Sequence, residues 1–234
     1  MPSALRHRPH GIVIPAFNAA GSIGKVLVEI KAVAPDCSVL VVDDGSTDGT
    51  AAVAASAAAA GGISVLSYAE NRGKGAALVT GLRHAKEKCG WEWAITLDAD
   101  GQHAASDLEG FLSATPSLRT RILAGTRVRT GTRMPWHRRF SNASTTWLVS
   151  RLAGQPVFDA QCGYRAYCLE AIDVLPPAGR FEWEAEALIL AARAGYAIES
   201  IPVRTVYAGE GSHMNLVRDT LRFLRMAGRR AWTR

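Results

Sequence analysis

Cysteine is scarce in this chain of 234 residues, and long apolar runs are missing. The four cysteines show no CxxC spacing, which argues against a zinc site or a disulfide framework and favours reduced thiols. No run approaches the roughly 18 apolar residues that span a bilayer, and the first residues lack the apolar core of a signal peptide. These absences predict a cytoplasmic protein without a membrane-spanning segment.

Glycine-rich phosphate loops are also missing. The chain has neither the G-x-x-x-x-G-K-[ST] loop of P-loop proteins nor the G-x-G-x-x-G turn of dinucleotide-binding folds. The N-terminal phosphate loop usual in nucleotidyltransferases is absent as well. A nucleotidyltransferase, which also uses aspartates at strand ends, therefore stays an alternative rather than the leading hypothesis.

Acidic residues are absent from one long segment, and the net charge of +6 is unevenly placed. Between Glu109 and Asp159 there is no Asp or Glu but there are eight arginines. Residues 214–234 hold six arginines against one aspartate, so most of the net charge lies there. Such positive fields favour phosphates, nucleic acid or anionic lipid.

Short apolar runs rich in β-branched residues alternate with helical patterns in the first half of the chain. This alternation predicts βαβ units on a mostly parallel sheet with helices on both faces, an α/β three-layer sandwich. The predicted strands are "GIVIPAF", "SVLVVDDGS", "GISVLSY" and "WAITLDAD", and the predicted helices cover 20–33, 47–60 and 74–88.

The second half is less regular after Asp100. A helix that ends at Gly195, a C′ glycine, is the clearest element there. The other predicted elements are a helix in "ASDLEGFLSA", a strand in "RILAGTR", an irregular basic loop over 126–140, a helix from Asn142 to Leu152, and strands over 163–168 and 197–207.

Polar residues follow three of the predicted strands. Pro15 to Asn18, Asp43 with Asp44, and Asp98 to Asp100 each stand at the carboxyl end of a strand. In a parallel sheet those ends share one edge, which is where ligands bind. We expect one acidic ligand-binding edge.

Asp98 and Asp100 form the clearest metal motif. Two carboxylates two residues apart can reach one Mg²⁺ or Mn²⁺ ion, a hard cation that takes oxygen ligands and is completed by phosphates. Gln102 offers a third oxygen, whereas His103 is unassigned. Because D-x-D-G also suits a turn, an acidic turn is the alternative.

Two neighbouring features add to this edge. Asp43 and Asp44 end an apolar strand, where one of them could accept hydrogen bonds from a base or a ribose, although a helix-capping role for Asp44 competes. In "NRGKGAAL", the backbone N–H groups of a helix N-terminus beside Arg72 and Lys74 predict an anion site.

Together these motifs resemble family-2 glycosyltransferases of the GT-A fold, the nucleotide-diphospho-sugar transferase architecture. The resemblance covers roughly residues 10–213 and is strongest to the branch that transfers mannose or glucose to dolichol or polyprenyl phosphate. It rests on "VIPAFNAAGSIGKVL", "VLVVDDGSTDGT", "ENRGKGAALVTGL", "ITLDADGQH", "HRRFSNAST", "DAQCGYRAY" and "FEWEAEAL" in that order.

The resemblance implies an inverting transfer from a nucleoside-diphosphate sugar to a lipid-linked acceptor, with Mg²⁺ or Mn²⁺ held by Asp98, Asp100 and Gln102. No nucleic-acid partner is expected. The implied substrate-binding residues are Pro15, Ala16, Phe17, Asn18, Asp43, Asp44, Lys74, Asp98, Ala99, Glu184 and His213. The catalytic candidates are Arg127, Arg138 and Arg139, as clamps on phosphate oxygens, and Asp159.

The acceptor decides whether a general base is needed. An ionised lipid phosphate needs none, so positioning and charge stabilisation would dominate. A hydroxyl acceptor on another lipid or small molecule would need a carboxylate, for which Asp159, Glu184 and Glu186 are available. The non-enzymatic alternative is an inactive GT-A module that binds anions.

The C-terminal stretch 214–234 predicts a basic amphipathic helix after a catalytic domain over 1–213. Four arginines, Arg218, Arg222, Arg225 and Arg229, recur at helical spacing beside an apolar face of Val217, Leu221, Leu224 and Ala231. Such a helix could lie on anionic lipid, at the inner face of the plasma membrane. Packing against the domain is the equal alternative.

Overall fold

A seven-stranded sheet forms the centre of the computed structural model, which describes residues 3–59, 61–128, 136–204 and 216–232. Within 136–204 the side chains are described from Ser141 onward. Within 216–232 they are described from Arg222 to Ala231. The strands are β1 (His10–Ala16), β2 (Ser38–Asp43), β3 (Ile63–Ser67), β4 (Trp93–Thr96), β5 (Thr120–Arg127), β6 (Arg165–Cys168) and β7 (Ala197–Val203).

The sheet has the order β3-β2-β1-β4-β6-β5-β7. Among the described strands, only β6 runs antiparallel to its neighbours, β4 and β5. The other pairs are parallel, with Ala16 opposite Asp43 and Val13 opposite Thr96. Six strands therefore end at one edge, and the chain enters β6 from that same edge.

Helices cover both faces of the sheet because successive strand residues point to opposite sides. Ile12 and Ile14 pack with α1, α2 and α4, whereas Val13 packs with α3, α5 and α6. The predicted three-layer α/β architecture is thus confirmed. The helices are α1 (Ala20–Val33), α2 (Thr50–Ala58), α3 (Lys74–Glu87), α4 (Leu108–Ser113), α5 (Trp136–Ala153), α6 (Trp183–Arg193) and α7 (Leu216–Trp232), with 3-10 turns at Leu5–His7, Ala105–Asp107 and Leu169–Val174.

The predicted basic loop over 126–140 was wrong at both ends. Strand β5 continues to Arg127, and α5 begins at Trp136, six residues before the predicted helix start at Asn142. The first turn of α5, "WHRR", is mostly basic, so its composition resembles that of the arginine-rich segment before it. The predicted C′ glycine is confirmed, because Gly195 has a φ of +84° directly after α6.

Helix α7 packs on the same side of the sheet as α3, α5 and α6, through a face that the sequence did not indicate. Met226 and Ala227 are buried, and Arg230 forms an ion pair with Glu186, whose Oε1 lies 2.7 Å from Nη2. Leu224, assigned to the apolar face, is 54% exposed, and Ala231 is exposed as well. None of the described helices is long and apolar enough to cross a membrane.

Met226→Ala is expected to destabilise the protein by about 2–3 kcal/mol, because it removes a buried side chain and leaves a cavity. Leu224→Ala, two residues away and mostly exposed, is the matched control, with a cost below about 1 kcal/mol. Urea unfolding at constant pH measures both. Equal costs would show that α7 does not pack as described.

Candidate functional site

The predicted edge carries side chains from both halves of the chain. The carboxyl ends of β1, β2, β4 and β5 meet there because these strands are parallel. The loop that enters β6, residues 159–164, and the first turns of α3 and α6 join them. The edge therefore has two groups of ionisable side chains, one around Lys74 and one around Asp159.

The turn after β1 is tied to the turn after β2. Asn18 has a left-handed φ of 49°, and its Oδ1 accepts a hydrogen bond from the N–H of Thr47 at 3.0 Å. The Asn18 N–H donates to Ser46 Oγ at 2.9 Å. Pro15 and Ala16 are buried in β1 while Phe17 is 41% exposed beside the edge. Asn18 thus fixes the turn, and Phe17 is its exposed apolar surface.

Asp43 and Asp44 have different environments. Asp43 is 3% exposed, and its Oδ1 has no hydrogen-bond partner among the described residues. Both Asp44 oxygens accept hydrogen bonds from backbone N–H groups, of Arg72 and of Gly73, each at 2.8 Å. Burial raises the pKa of Asp44 although these N–H groups act to lower it. Asp43 is therefore the member of the pair that is available to a ligand.

The same contacts correct the predicted anion site in "NRGKG". Its N–H groups at Arg72 and Gly73 already bind the chain's own carboxylate, Asp44. Nor does Asp44 cap the helix that follows it in sequence, since the Thr50 N–H donates to Asp48 Oδ1 at 3.0 Å. The glycine turn and Asp44 thus form an internal brace that fixes the start of α3.

Lys74, the first residue of α3, lies between two carboxylates. Its Nζ is 2.7 Å from Asp98 Oδ1 and 2.8 Å from Glu184 Oε2. Burial acts to lower the pKa of Lys74, but the two carboxylates outweigh it and hold that pKa above its ordinary value. The ammonium therefore stays charged at neutral pH and joins the first turns of α3 and α6 to the end of β4.

Asp98 and Asp100 are unequal as metal ligands. The Asp98 pKa is held well below its ordinary value, because Lys74 and His103 outweigh the effect of burial; His103 Nε2 is 3.5 Å from Asp98 Oδ2. Asp100 is exposed and bonds only locally, with its Oδ1 accepting the Gln102 N–H at 2.9 Å. Although the residue is exposed overall, partial desolvation of its carboxyl by neighbouring groups and the Asp98 charge raise the Asp100 pKa. Asp100 is the carboxylate more open to a cation.

Arg127 and Asp159 form the second group. The Arg127 Nε and Nη2 donate to the two oxygens of Asp159 at 2.7 and 2.9 Å. Burial acts to raise the Asp159 pKa, but the guanidinium outweighs it and lowers that pKa. A fully hydrogen-bonded carboxylate with a low pKa is a poor general base, so the geometry suits a role in holding Arg127.

Sequence reasoning missed Arg165, which is fully buried in β6. Its guanidinium donates to the carbonyls of Ala160 and Cys162, each at 2.9 Å, and to that of Glu184. Arg165 thus fixes the loop after Asp159 and the first turn of α6 together. No local pattern distinguishes this arginine from a surface one, so the signal exists only in the fold.

Gly163 was also missed as a site residue. A Cβ there would lie 2.9 Å from both Asp98 carboxylate oxygens and 3.0 Å from Lys74 Nζ. The absence of a side chain lets the β6 entry loop approach the Lys74–Asp98 pair closely. The lack of a side chain at Gly163 therefore leaves space for the Lys74–Asp98 ion pair.

If this edge binds the metal and nucleotide that the resemblance implies, Gly163→Ala is expected to weaken their binding about tenfold or more, because the methyl group forces the Asp98 carboxylate to move. The stability cost should be about 1–3 kcal/mol, as for an overpacked site. Gly21→Ala is the matched control, because a Cβ at Gly21 meets no atom within 4 Å. Gly154 is unsuitable as a control, since its φ of +70° would strain an alanine. Unchanged Mn²⁺ and nucleotide binding in Gly163→Ala would contradict the expectation.

Three predicted site residues fall on parts of the chain that the structure leaves out. The side chains of Arg138 and Arg139, whose backbone lies in α5, and the whole of His213 lie outside the described residues.

Two other predicted residues already have partners within the chain. Glu186, a base candidate, is paired with Arg230 of α7. Ala99 is buried and its carbonyl accepts a hydrogen bond from Ser22 Oγ at 2.7 Å.

The oxygen donors at the end of β4 are compatible with a hard divalent cation. Asp100 is exposed and Gln102, two residues later, is half-buried, while Asp98 stands two residues before Asp100. No group of three His, Cys, Asp or Glu side chains among the described residues could hold a metal without help. A cation here would take further oxygens from a bound ligand, as Mg²⁺ and Mn²⁺ do with phosphates.

Comparisons with known proteins identify relatives of this chain. Residues 11–175 match the family model described as "Glycosyl transferase family 2". The chain is 29% identical over 215 residues to the UDP-N-acetylglucosamine–dolichyl-phosphate N-acetylglucosaminyltransferase of Methanococcus voltae, covering 84% of this chain and 85% of that one. It is 30% identical over 203 residues to the undecaprenyl-phosphate mannosyltransferase of Micrococcus luteus, covering 83% and 82%.

A solved structure shares the fold. Glucosyl-3-phosphoglycerate synthase from Mycobacterium tuberculosis, in complex with Mn²⁺, uridine-diphosphate and phosphoglyceric acid, matches with a TM-score of 0.73 at 20% identity. The match covers 97% of this chain and 79% of that one. At this identity the likeness concerns the fold and not the substrates.

Proposed function

The chain belongs to glycosyl transferase family 2, and we propose that it transfers a sugar from a nucleoside-diphosphate sugar to a polyprenyl phosphate. The GT-A fold expected from the resemblance is confirmed by the solved structures that match. The observation that carries the substrate proposal is one sheet edge with three features: a buried Asp43 oxygen that has no hydrogen-bond partner among the described residues, an exposed carboxylate at Asp100 and a guanidinium at Arg127.

In this proposal the donor nucleoside binds between the ends of β1 and β2. The unpartnered Asp43 Oδ1 would accept a hydrogen bond from the base or the ribose, because a buried carboxylate oxygen is costly to leave without a donor. Phe17 supplies the exposed apolar surface next to it. Pro15, Ala16 and Asn18 act through the backbone of the turn.

The donor diphosphate lies toward the end of β4, with Mg²⁺ or Mn²⁺ held by Asp100 and Gln102 and with Asp98 as a further ligand. The ion would act as a Lewis acid that neutralises charge on the departing diphosphate. The glucosyl-3-phosphoglycerate synthase complex, which has a similar fold, contains Mn²⁺ together with uridine-diphosphate, and this supports the choice of ion. Glu184 contributes indirectly, by holding Lys74.

The acceptor phosphate is proposed to bind Arg127, with Arg138 and Arg139 nearby in sequence. Planar guanidinium groups bind phosphate oxygens bidentately, and Asp159 holds the Arg127 guanidinium in place. The phosphate oxygen is already ionised, so it can attack the anomeric carbon opposite the leaving diphosphate without a general base. The low pKa of Asp159 agrees with a route that needs no base.

Exposed apolar side chains suggest where the lipid and the membrane lie. Phe158, directly before Asp159, is 63% exposed, and Trp147 of α5 is 68% exposed. Their segments are joined, since the Ala160 N–H donates to Thr146 Oγ1 at 3.2 Å. Leu224 of α7 is exposed as well. We propose peripheral contact with anionic lipid at the cytoplasmic face of the membrane.

A two-stage assay tests this function. UDP-, GDP- and TDP-sugars are first screened for thermal stabilisation of the full chain with Mn²⁺. The stabilising donor, radiolabelled, is then offered undecaprenyl phosphate in detergent or 3-phosphoglycerate. Label in the organic phase is the expected result. Label only on 3-phosphoglycerate, or on neither, would overturn the proposed acceptor.

A further inference from the structure

Lys74 already pairs with one carboxylate oxygen of Asp98, one of the proposed metal ligands. Its ammonium is 2.7 Å from Asp98 Oδ1, which is the distance of a charge-assisted hydrogen bond. A divalent ion that uses Asp98 as a ligand must therefore compete with Lys74 for the same carboxylate. The question is whether the site is built to permit that exchange.

Lys74, Asp98 and Glu184 form a trio of charged side chains, and their exposed fractions show which side of the trio faces solvent. The side chain of Asp98 is 28% exposed, whereas those of Lys74 and Glu184 are 16% and 10% exposed. An ion that arrives from solvent thus meets Asp98, with Asp100 beside it, before it meets the other two. Lys74 and Glu184 form the inner part of the trio.

Glu184 has one carboxylate oxygen that could accept a further hydrogen bond from the Lys74 ammonium. Its Oε2 already accepts from Lys74 at 2.8 Å, while its Oε1 is buried without a partner among the described residues. A lysine ammonium has three donors on a flexible stem, so it can move onto both oxygens of Glu184. Its charge then stays paired after Asp98 is lost, which avoids the large cost of an isolated buried ion.

We propose that Lys74 is an exchangeable counter-ion for Asp98, with Glu184 as the carboxylate that retains it when a metal binds. This inference rests on the metal site of the proposed function and deepens it. Lys74 is a positioning residue in this role, because it acts through Asp98. Free metal is held weakly while Lys74 competes, and a bound diphosphate, by adding ligands, shifts the competition toward the metal.

The test measures the binding of Mn²⁺ alone, and the electron paramagnetic resonance signal of the free ion reports how much remains unbound. Lys74→Met is expected to bind Mn²⁺ at least about tenfold more tightly than wild type, because the competing hydrogen bond to a charged group is gone. Arg180→Met removes a positive charge near Asp44 without touching Asp98, so it should change the affinity less than about twofold. Equal gains in both variants would overturn the exchange in favour of a general charge effect.

Glu184→Gln keeps the proposal testable if Lys74→Met does not fold. Gln leaves the ammonium more firmly on Asp98, so Mn²⁺ binding should weaken several-fold. Glu182→Gln, the same change two residues earlier, should have little effect. In the Lys74→Met background the Glu184→Gln effect should disappear, because it acts through Lys74; additive effects would contradict the proposal.

The outcomes separate the two proposals. If wild type binds Mn²⁺ with UDP or GDP but neither Lys74→Met nor Glu184→Gln changes binding of the ion alone, the exchange is wrong and the metal site stands. If no form of the protein binds Mn²⁺ with either nucleotide, both the metal site and the exchange are overturned.

Discussion

Asp100→Ala should lower kcat by about a thousandfold while leaving the fold intact. Neutralisation of a leaving diphosphate by a metal ion contributes several kcal/mol to the barrier, and each 1.4 kcal/mol is about tenfold in rate. Asp100 is exposed and makes only a local bond to the Gln102 N–H. Its loss therefore removes a ligand without opening a cavity. Steady-state transfer at saturating donor and Mn²⁺ measures the effect, with the thermal midpoint as the check on folding.

Two comparisons make the Asp100 result specific. Asp98→Ala should also lower transfer, but it should reduce stability as well, because it removes one partner of the buried Lys74 ammonium. Asp173→Ala removes a carboxylate that is 78% exposed beside Lys86 and should leave kcat unchanged. Transfer by Asp100→Ala within about threefold of wild type would show that this carboxylate does not hold the ion.

The fold was predictable where the information is local. Each strand of the first half carries a short β-branched run, and the segments between the strands have helical character, so α1 has the predicted bounds. The placement of Asp43 and Asp98 at one edge followed from the rule on parallel strand ends. The start of helix α5 was not predicted, because its first turn is mostly basic like the segment before it.

Partners within the site were not predictable in the same way. Lys74 and Glu184 are 110 positions apart, and they meet because α3 and α6 lie on the same face of the sheet. The brace between Asp44 and the N–H groups before α3 depends equally on the fold. Gly163 matters only because β6 is reversed, so that its entry loop reaches the ligand edge. Sequence patterns name the chemical groups, whereas the topology decides which of them neutralise one another.

The pairing of Asp159 with Arg127 leads to the second large effect. Asp159→Asn should cost about 2–3 kcal/mol in the free energy of unfolding, because it leaves a partly buried guanidinium without its counter-charge. Asp159 is only 3% exposed, against 21% for Arg127. Because the Asp159 pKa is lowered in the folded protein, this stability is fully present above the ordinary Asp pKa of about 4. It is lost as the pH falls through the lower folded value.

Urea unfolding between pH 8 and pH 4 checks the stability part of this prediction. The difference between wild type and Asp159→Asn should be constant from pH 8 to about pH 5 and should begin to shrink near pH 4. Asp107→Asn is a useful comparison, since that carboxylate pairs with an exposed arginine, Arg204, and should cost less. A difference that grows as the pH falls would contradict the assigned pairing.

Transfer kinetics separate a positioning role of Asp159 from a role as general base. If Asp159 holds Arg127 for the acceptor phosphate, Asp159→Asn should raise KM for undecaprenyl phosphate about tenfold or more and change kcat less. Arg127→Gln should then have a similar effect, and the double variant should be little worse than either, because both disrupt one unit. A general base predicts the opposite: Asp159→Asn would lower kcat by about a hundredfold or more and leave KM nearly unchanged. That result would also mean that the acceptor atom is a hydroxyl that must lose a proton, since an ionised phosphate has none to give.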